Sequence, residues 1–278
     1  MDLAKHLSGW PVDNVSAALV GKQDATYGDQ HVIYELMSVT KLLAAYSFLM
    51  AVEEGAFSLD SACGPTGSTV RHLLSHASGV GLDSRKAQKP VGERRIYSSA
   101  GFEILDDFLH ERSGMHLGEY ARLGVFEPLG MDSAEIYGSA GHGGRASLSD
   151  MRAFARELTA PTLLSEQTLI DAFANQFGEL RGIVPGYGMQ KPCPWGLGFE
   201  IRGEKSPHWT GDNMPADTVG HFGMSGTYLW VVPAWSDLPA AGPRWSFSPT
   251  AISAIGRNLC GRRRTRRCLR SFPARAWS

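Results

Sequence analysis

The chain has 278 residues, 43% of them hydrophobic and 20% charged, which is enough for a substantial core in one large domain or two interleaved ones. Its formal net charge is −1, and it contains no apolar run of about 18 residues, so a membrane-spanning helix is not expected. The N-terminus lacks the basic start, long apolar stretch and small-residue cleavage site of a secretory signal, which predicts a cytoplasmic protein.

Short extended runs open the chain, and a helical pattern follows them. Residues 15–31 contain an apolar β-rich run, a polar turn near Asp24 and a second short run, which predicts a hairpin. From Ser38 to Glu54 the apolar residues recur at helical spacing, and Gly55 follows as a stop signal. A helix is therefore predicted over 38–54.

The middle of the chain is mostly helical, and its last third has the texture of strands. Helices are predicted over residues 71–76, 100–114, 117–130, 147–159 and 165–177. From about residue 187, glycines alternate with aromatic and branched residues, which is typical of strands joined by tight turns.

This order of strands, helices and strands predicts an α/β (α+β) fold in two parts. Residues 1–60 and 180–232 are expected to build one discontinuous sheet domain. Residues 61–179 are expected to form a mostly helical domain inserted into it.

Ser38 and Lys41 form a Ser-x-x-Lys pair at the start of the predicted helix. Residues at i and i+3 share one helix face, so the lysine amine can activate the serine hydroxyl if it is neutral part of the time. Burial and the positive end of a helix both lower a lysine pKa. The alternative is an ordinary N-cap serine followed by a solvated lysine, but Lys41 is followed directly by apolar residues.

Three further segments occur in a suggestive order after this pair: Arg71 to Gly79 (RHLLSHASG), Ile96 to Phe102 (IYSSAGF) and Gly220 to Thr227 (GHFGMSGT). Together with SVTK they resemble the marks of class C β-lactamases, D-alanyl-D-alanine carboxypeptidases and their carboxylesterase relatives. The resemblance covers about residues 10–232. It implies a β-lactamase/transpeptidase-like fold, with an antiparallel sheet flanked by helices.

Carried over by position, the resemblance implies a role for each matching residue. Ser38 would be the nucleophile that forms an acyl-enzyme, Lys41 would share or take its proton, and Tyr97 would be the second acid/base. The backbone N–H groups of Ser38 and Met224 would form the oxyanion hole. Ser99, His221 and Gly223 would contact the substrate. His76 is expected to be a buried structural histidine, and no metal or organic cofactor is implied.

Two departures from the family pattern bear on the substrate. Ser99 replaces an amide of the family's Tyr-x-Asn, and His221 stands where the family often has a lysine. A histidine is mostly neutral at pH 7, so both changes favour a carboxylesterase acting on small acyl esters. The alternatives are a D-alanyl-D-alanine carboxypeptidase or weak β-lactamase, and an inactive member that binds an acyl or peptidyl ligand.

The C-terminal segment from Pro233 does not fit this pattern. It carries nine Arg, one Asp and no Lys, and only Thr250–Leu259 indicates a short apolar helix. A shifted reading frame or decayed, disordered tail and a genuine divergent terminus are both compatible with this composition. The Arg run at 262–267 permits nucleic-acid or anionic-membrane binding, but such runs are more often solvated, so nucleic-acid binding is not favoured.

The cysteines do not suggest a framework of disulfides or a zinc site. Cys63, Cys193, Cys260 and Cys268 have no paired spacing, and reduced thiols are expected. The expected partner is a small-molecule ester or amide, and the sequence does not define an oligomeric state.

Overall fold

The computed structural model describes residues 2–21, 24–211 and 213–233, and the backbone of residues 250–256. Its helices are α1 (Leu3–Leu7), α2 (Thr40–Glu53), α3 (Val70–Leu74), α4 (Ala100–Ser113), α5 (Leu117–Ala121), α6 (Leu148–Thr159) and α7 (Glu166–Phe173). Its strands are β1 (Val15–Val20), β2 (Ala25–Tyr27), β3 (Ile33–Glu35), β4 (Glu135–Ile136), β5 (Gly144–Ser147), β6 (Gly182–Val184), β7 (Gly188–Gln190), β8 (Glu200–Ile201), β9 (Val219–Phe222), β10 (Thr227–Val232) and β11 (Thr250–Gly256).

The main sheet has six strands in the order β2-β1-β11-β10-β9-β8, and all neighbours are antiparallel. The first two strands come from the start of the chain and the other four from its last third. The prediction of an antiparallel sheet flanked by helices is therefore confirmed, as is the hairpin near the N-terminus.

Strand β11 corrects the prediction of a short helix over Thr250–Leu259. Residues 250–256 form a strand between β1 and β10, with Val20 opposite Ala251 and Val232 opposite Thr250. The backbone N–H and C=O groups of two neighbouring strands need partners, and this demand outweighs a weak local helical pattern. Residues 234–249 and 257–278, including the Arg run, lie outside the described residues.

Helix α2 is the centre of the molecule. It is apolar on every side, and all residues from Thr40 to Ala51 are buried, as expected for a helix surrounded by protein. It contacts α4 and α5 in the helical part and β9 in the main sheet. Helix α6 packs across β1, β10 and β11. The first turn of α2 therefore lies where sheet and helices meet.

The five predicted helical segments correspond to α3–α7, although the third divides into α5 and a π-helical turn, Arg122–Phe126. The sequence did not predict β4 and β5, which join β3 in a second sheet of order β3-β5-β4. The Leu36 N–H donates to the Gly144 carbonyl at 2.9 Å, and the Gly144 N–H donates to Thr40 Oγ1 at 3.0 Å. These bonds hold the β4–β5 loop against the start of α2.

Two smaller features concern the sequence expectations. Among the described helices, none is both long and apolar enough to cross a bilayer. Cys63 and Cys193 are buried free thiols, whereas Cys260 and Cys268 are outside the described ranges.

Candidate active site

Ser38 lies in a short 3-10 turn, Met37–Val39, immediately before α2. The preceding residue, Met37, has a φ of +48°, a left-handed conformation that costs energy for a residue with a side chain. The turn is held by the first residue of β10, because Thr227 Oγ1 donates to the Leu36 carbonyl at 2.8 Å. Ser38 is thus presented, half-buried, at the junction of sheet and helix.

Lys41 follows in the first turn of α2 and is completely buried. Its amine donates to Ser99 Oγ at 3.1 Å and to the Gly141 carbonyl oxygen at 2.6 Å. Burial lowers the Lys41 pKa to about 7, although the carboxylates of Asp83 and Glu103 oppose the shift. A large fraction of the amine is therefore neutral near pH 7 and able to accept a proton.

Tyr97 completes the group around the candidate nucleophile. Its hydroxyl donates to Ser38 Oγ at 2.7 Å, and the Lys41 amine lies 4.6 Å from the centre of its ring. Burial raises the Tyr97 pKa, while the hydrogen bond to Ser38 lowers it. Tyr97 therefore carries its proton at neutral pH and is a hydrogen-bond donor to Ser38.

The end of β9 carries His221, and the β9–β10 connection carries Gly223 and Met224. The buried His221 ring lies 5.5 Å from that of Tyr97, and its Nδ1 accepts from the Phe222 N–H at 2.8 Å. Burial lowers the His221 pKa to about 4, so the ring is neutral at pH 7.

Only glycine fits at position 223. A Cβ atom there would lie 2.3 Å from the Leu36 carbonyl oxygen and 3.2 Å from the Met37 Cβ, so the strand end runs directly beside the turn of Ser38. The next residue, Met224, makes no backbone N–H hydrogen bond within the described ranges. A role of this N–H in holding an oxyanion stays a prediction.

Ser99 lies beside the Lys41 amine. It was expected to contact substrate, but it is buried and its hydroxyl accepts from Lys41. Its side chain therefore helps to hold the lysine amine at the start of α4. Contact with a substrate stays a prediction.

The sequence did not point to Gly141, whose carbonyl oxygen accepts the shorter of the two Lys41 bonds. A carbonyl group belongs to every residue, so no side-chain pattern marks it. The only hint is the glycine-rich run at 141–144, since glycine lets a backbone approach its neighbours closely.

His76 was expected to be a structural histidine, and it is buried. It also lies against the site, with its ring 4.8 Å from the Tyr97 ring and 4.8 Å from that of Trp195. Its Nδ1 accepts from the Ser98 N–H at 3.2 Å, which fixes the loop that carries Tyr97. Burial holds the His76 pKa well below its usual range, so this ring is also neutral.

A buried arginine, unrecognised from the sequence, fixes the segment leading to Tyr97. Arg95 donates to the carbonyls of Ser75 at 2.8 Å and Cys193 at 2.5 Å, and to Asn175 Oδ1 at 3.0 Å. A buried guanidinium with this many acceptors is well satisfied. It ties the loop of Tyr97 to three separate parts of the chain.

No group of three or more His, Cys, Asp or Glu side chains in the described part of the chain is arranged to hold a metal ion. The arrangement around Ser38 instead combines a hydroxyl, a buried amine of lowered pKa, a phenol donor and a free backbone N–H. These are the components of nucleophilic catalysis with acid/base support.

The antiparallel sheet with its helical layer is the fold of β-lactamases and penicillin-binding proteins, a class of hydrolases. The family model described as Beta-lactamase matches residues 21–236, and the chain belongs to this family. No curated protein matches the chain.

Solved structures agree with this assignment. A β-lactamase from Mycobacterium bovis (Mb2281c) is 42% identical, with a TM-score of 0.85 and 92% of each chain covered. An octameric penicillin-binding protein homologue from Pyrococcus abyssi is 18% identical, with a TM-score of 0.68 over 93% of this chain and 74% of that one. A penicillin-binding protein from Bacillus halodurans is 16% identical, with a TM-score of 0.69 over 91% of this chain and 95% of that one. The last two similarities concern the fold alone.

Proposed function

We propose that the protein is a serine hydrolase in which Ser38 attacks a carbonyl carbon and carries the acyl group as an ester. The observation that carries this proposal is the hydrogen bond of 2.7 Å between Tyr97 and Ser38 Oγ, next to a buried lysine whose pKa burial lowers to about 7. Such a set activates a hydroxyl that is otherwise a weak nucleophile.

In the first half-reaction, the Ser38 hydroxyl gives its proton to the basic pair of Lys41 and Tyr97 as its oxygen bonds to the substrate carbonyl carbon. The oxyanion that forms is held by the Ser38 and Met224 N–H groups. The C–O bond of the ester then breaks, and Tyr97 gives its proton to the leaving alkoxide. Tyr97 recovers a proton from Lys41, so the pair ends neutral.

In the second half-reaction, the same pair takes a proton from water, which attacks the acyl-enzyme carbonyl. The bond between the acyl carbon and Ser38 Oγ breaks, the proton returns to Ser38, and the carboxylic acid leaves. The coupling of two close groups means that either one can be the proton's resting place.

The preferred substrate is a small carboxylic ester without charge near the scissile bond. Three observations support this choice. His221 is neutral, because burial lowers its pKa to about 4, so it does not provide a cation for a substrate carboxylate. Ser99 stands where the family has the asparagine of Tyr-x-Asn, and its hydroxyl accepts from Lys41, so this position does not offer a side-chain amide to a substrate.

A third observation is the apolar edge of the site. Exposed large apolar side chains occur on each of the three loops that build it: Leu82 (48% exposed), Tyr137 (54%) and Met224 (48%). The Leu82 carbonyl accepts from the Ser99 N–H at 2.9 Å, and Tyr137 donates its N–H to Gly143, which closes the loop of Gly141. We infer that these side chains line the entrance to the site, where they would favour apolar acyl or alkyl groups.

A β-lactam is the second candidate substrate. The relative from Mycobacterium bovis is named a β-lactamase, is 42% identical and covers 92% of this chain. The same Ser38 acyl-enzyme accounts for both reactions, so only the substrate distinguishes them.

The test compares p-nitrophenyl acetate and butyrate with nitrocefin, using wild type, Ser38→Ala and Ser47→Ala. Ser47 is the matched control because it lies buried in the same helix and its hydroxyl donates to the Leu43 carbonyl of that helix. Ester turnover lost in Ser38→Ala and kept in Ser47→Ala supports the esterase. If nitrocefin is turned over faster than the esters, the protein is assigned as a β-lactamase and not as an esterase. Turnover that is retained in Ser38→Ala contradicts the assignment of Ser38 as the nucleophile.

A further inference from the structure

The buried amine of Lys41 is held by two acceptors, and both depend on the first turn of α4. Ser99 binds the amine directly, at 3.1 Å. The other acceptor, the Gly141 carbonyl oxygen, belongs to the β4–β5 loop. One turn after Ser99, Glu103 lies on the same face of α4, since its N–H donates to the Ser99 carbonyl at 3.2 Å.

Glu103 reaches Gly141 through one serine. Ser139 Oγ donates to Glu103 Oε1 at 2.7 Å and accepts from the Gly141 N–H at 3.2 Å. The Ser139 carbonyl also accepts from the Gly143 N–H at 2.7 Å. Hydrogen bonds therefore connect the Glu103 carboxylate through the Ser139 hydroxyl to the Gly141 N–H. The Gly141 carbonyl, which accepts from Lys41, belongs to the next peptide group, and the N–H of that group, from His142, donates to the Ser139 carbonyl at 3.0 Å.

The loop needs this support because it has little rigidity of its own. Four of its residues from 138 to 144 are glycine, and glycine has the widest choice of backbone conformations. The loop is also tightly seated, since a Cβ atom at Gly141 would lie 2.7 Å from the Ser99 Cβ. A small rotation of the peptide at Gly141 would turn its carbonyl away from Lys41.

We propose that Glu103 and Ser139 are positioning residues of the hydrolase: they orient the Gly141 carbonyl and thereby hold the Lys41 amine against the Tyr97 ring. This inference rests on the proposed role of Lys41 as part of the basic pair. Neither residue touches the reacting atoms, and both act through Gly141.

Glu103 has a second effect, through its charge. The groups that act on the Lys41 amine are the carboxylates of Asp83 and Glu103, the neutral rings of His76 and His221, and Tyr97. Both carboxylates raise the Lys41 pKa against the effect of burial. Removing either charge therefore lowers this pKa, but only Glu103 is part of the hydrogen-bond chain.

Four variants separate the effect of the hydrogen bond between Glu103 and Ser139 from the effect of the Glu103 charge. Glu103→Gln removes the charge and keeps an oxygen that accepts from Ser139, and Glu103→Ala removes both. Ser139→Ala breaks the chain and leaves the charge. Asp83→Asn removes the other carboxylate and leaves the chain intact, so it is the control for charge. Each is assayed with p-nitrophenyl butyrate over a range of pH.

Glu103→Ala and Ser139→Ala are expected to lower kcat by about tenfold or more, with KM changed by less than about threefold, because the base is misplaced and binding is not. Glu103→Gln is expected to restore most of the kcat lost in Glu103→Ala. In Glu103→Gln and Asp83→Asn the acidic limb of the pH–rate profile moves to lower pH, because the loss of either carboxylate lowers the Lys41 pKa. In Ser139→Ala this limb stays close to that of wild type.

The positioning role is overturned if Glu103→Ala and Ser139→Ala, shown to be folded by thermal melting, keep kcat within about twofold of wild type. It is also overturned if Glu103→Gln is no better than Glu103→Ala. Should Glu103→Ala fail to fold, Ser139→Ala carries the test, because Ser139 is half-buried and alanine is smaller. Failure of the positioning role can be told apart from failure of the proposed function. In the second case Ser38→Ala would retain turnover and labelling by a fluorophosphonate.

Discussion

The Tyr97 hydroxyl donates a hydrogen bond of 2.7 Å to Ser38 Oγ, across 59 positions of the chain. The same tyrosine ring touches His76, at 4.8 Å, and lies under the Lys41 amine. Its position is therefore set by packing on the ring and not by the hydroxyl. Removal of the hydroxyl should leave the site in place and remove only the proton donor.

Tyr97→Phe should lower kcat for p-nitrophenyl butyrate by about a hundredfold or more, because a positioned acid or base contributes about 10²–10⁴ in rate. The Lys41 amine should remain where it is, since its contacts with Ser99 and Gly141 do not involve the hydroxyl. Steady-state kinetics and the rate of fluorophosphonate labelling measure the effect. A variant with kcat within about fivefold of wild type would remove Tyr97 from the proposed mechanism.

Activity should depend on pH through Lys41. Burial lowers the Lys41 pKa to about 7, and the amine accepts a proton only when neutral, so kcat/KM should rise with pH through about 7. The pKa of His221 is about 4, so this ring adds no inflection near neutrality. A pH–rate profile from about pH 5 to about pH 9 tests the expectation. A profile that is flat between about pH 6 and about pH 8 would contradict it.

The same pKa shift predicts the pH dependence of stability. The unfolded chain has a lysine pKa near 10.5 and the folded chain one of about 7, so the unfolded state binds more protons between these values. The free energy of unfolding should therefore rise with pH from about 7 to about 10.5. Lys41→Met should remove this contribution, and it should be more stable than wild type at about pH 6 by on the order of 1–3 kcal/mol. Denaturant unfolding of both proteins at about pH 6 and about pH 10.5 measures this difference in the free energy of unfolding. If Lys41→Met is less stable than wild type at about pH 6, the buried Lys41 amine does not destabilise the folded chain.

Much of the site could be predicted from side-chain patterns, because Ser38, Lys41 and Tyr97 each bring their own chemistry. Gly141 could not, since its contribution is a carbonyl group placed by a loop. Glu103 and Ser139 could not either, because their relation to Lys41 exists only after β5 pairs with β3. Residue types can be recognised in the sequence, whereas these contacts form only when distant segments of the chain meet in the fold.

Strand β11 is another feature that the sequence alone could not predict. The strands β1 and β10 were predictable from their own alternation, but residues 250–256 become a strand because they lie between those two. A segment of weak local preference takes the conformation that its neighbours' free backbone groups require. The atypical composition after Pro233 therefore did not indicate which part of it enters the sheet.

The position of Gly223 predicts a coupled loss of stability and activity. In Gly223→Ala the added Cβ would lie 2.3 Å from the Leu36 carbonyl oxygen and 2.4 Å from Thr227 Oγ1, the two atoms whose hydrogen bond fixes the turn of Ser38. We expect a destabilisation of about 1–3 kcal/mol and a fall in kcat/KM of about a hundredfold. Gly9→Ala is the control, because a Cβ there meets nothing within 4 Å. Equal behaviour of the two variants would show that the close approach is not required.

Strand β11 predicts different results for two truncations. A chain ending at Val232 loses β11 and separates β1 from β10, so the six-stranded sheet cannot close across its centre. A chain ending at Gly256 keeps the strand. The shorter chain should give no cooperative thermal transition, while the longer one should melt cooperatively and keep its Ser38-dependent turnover. Cooperative melting of the shorter chain would contradict the central place of β11.

The apolar edge predicts the substrate preference. Leu82 is exposed on the loop that binds the Ser99 N–H, and Met224 is exposed on the β9–β10 connection. Covering them with an alkyl chain removes apolar area from water, at about 25 cal/mol per Å². Leu82→Ser and Met224→Ser should therefore each lower the ratio of kcat/KM for p-nitrophenyl octanoate over acetate by about threefold to tenfold. Leu123→Ser is the matched control, because Leu123 is a similarly exposed apolar residue on the π-helical turn. If all three variants keep the wild-type ratio while Ser38→Ala is inactive, the protein is still a serine hydrolase, but the edge does not bind the substrate.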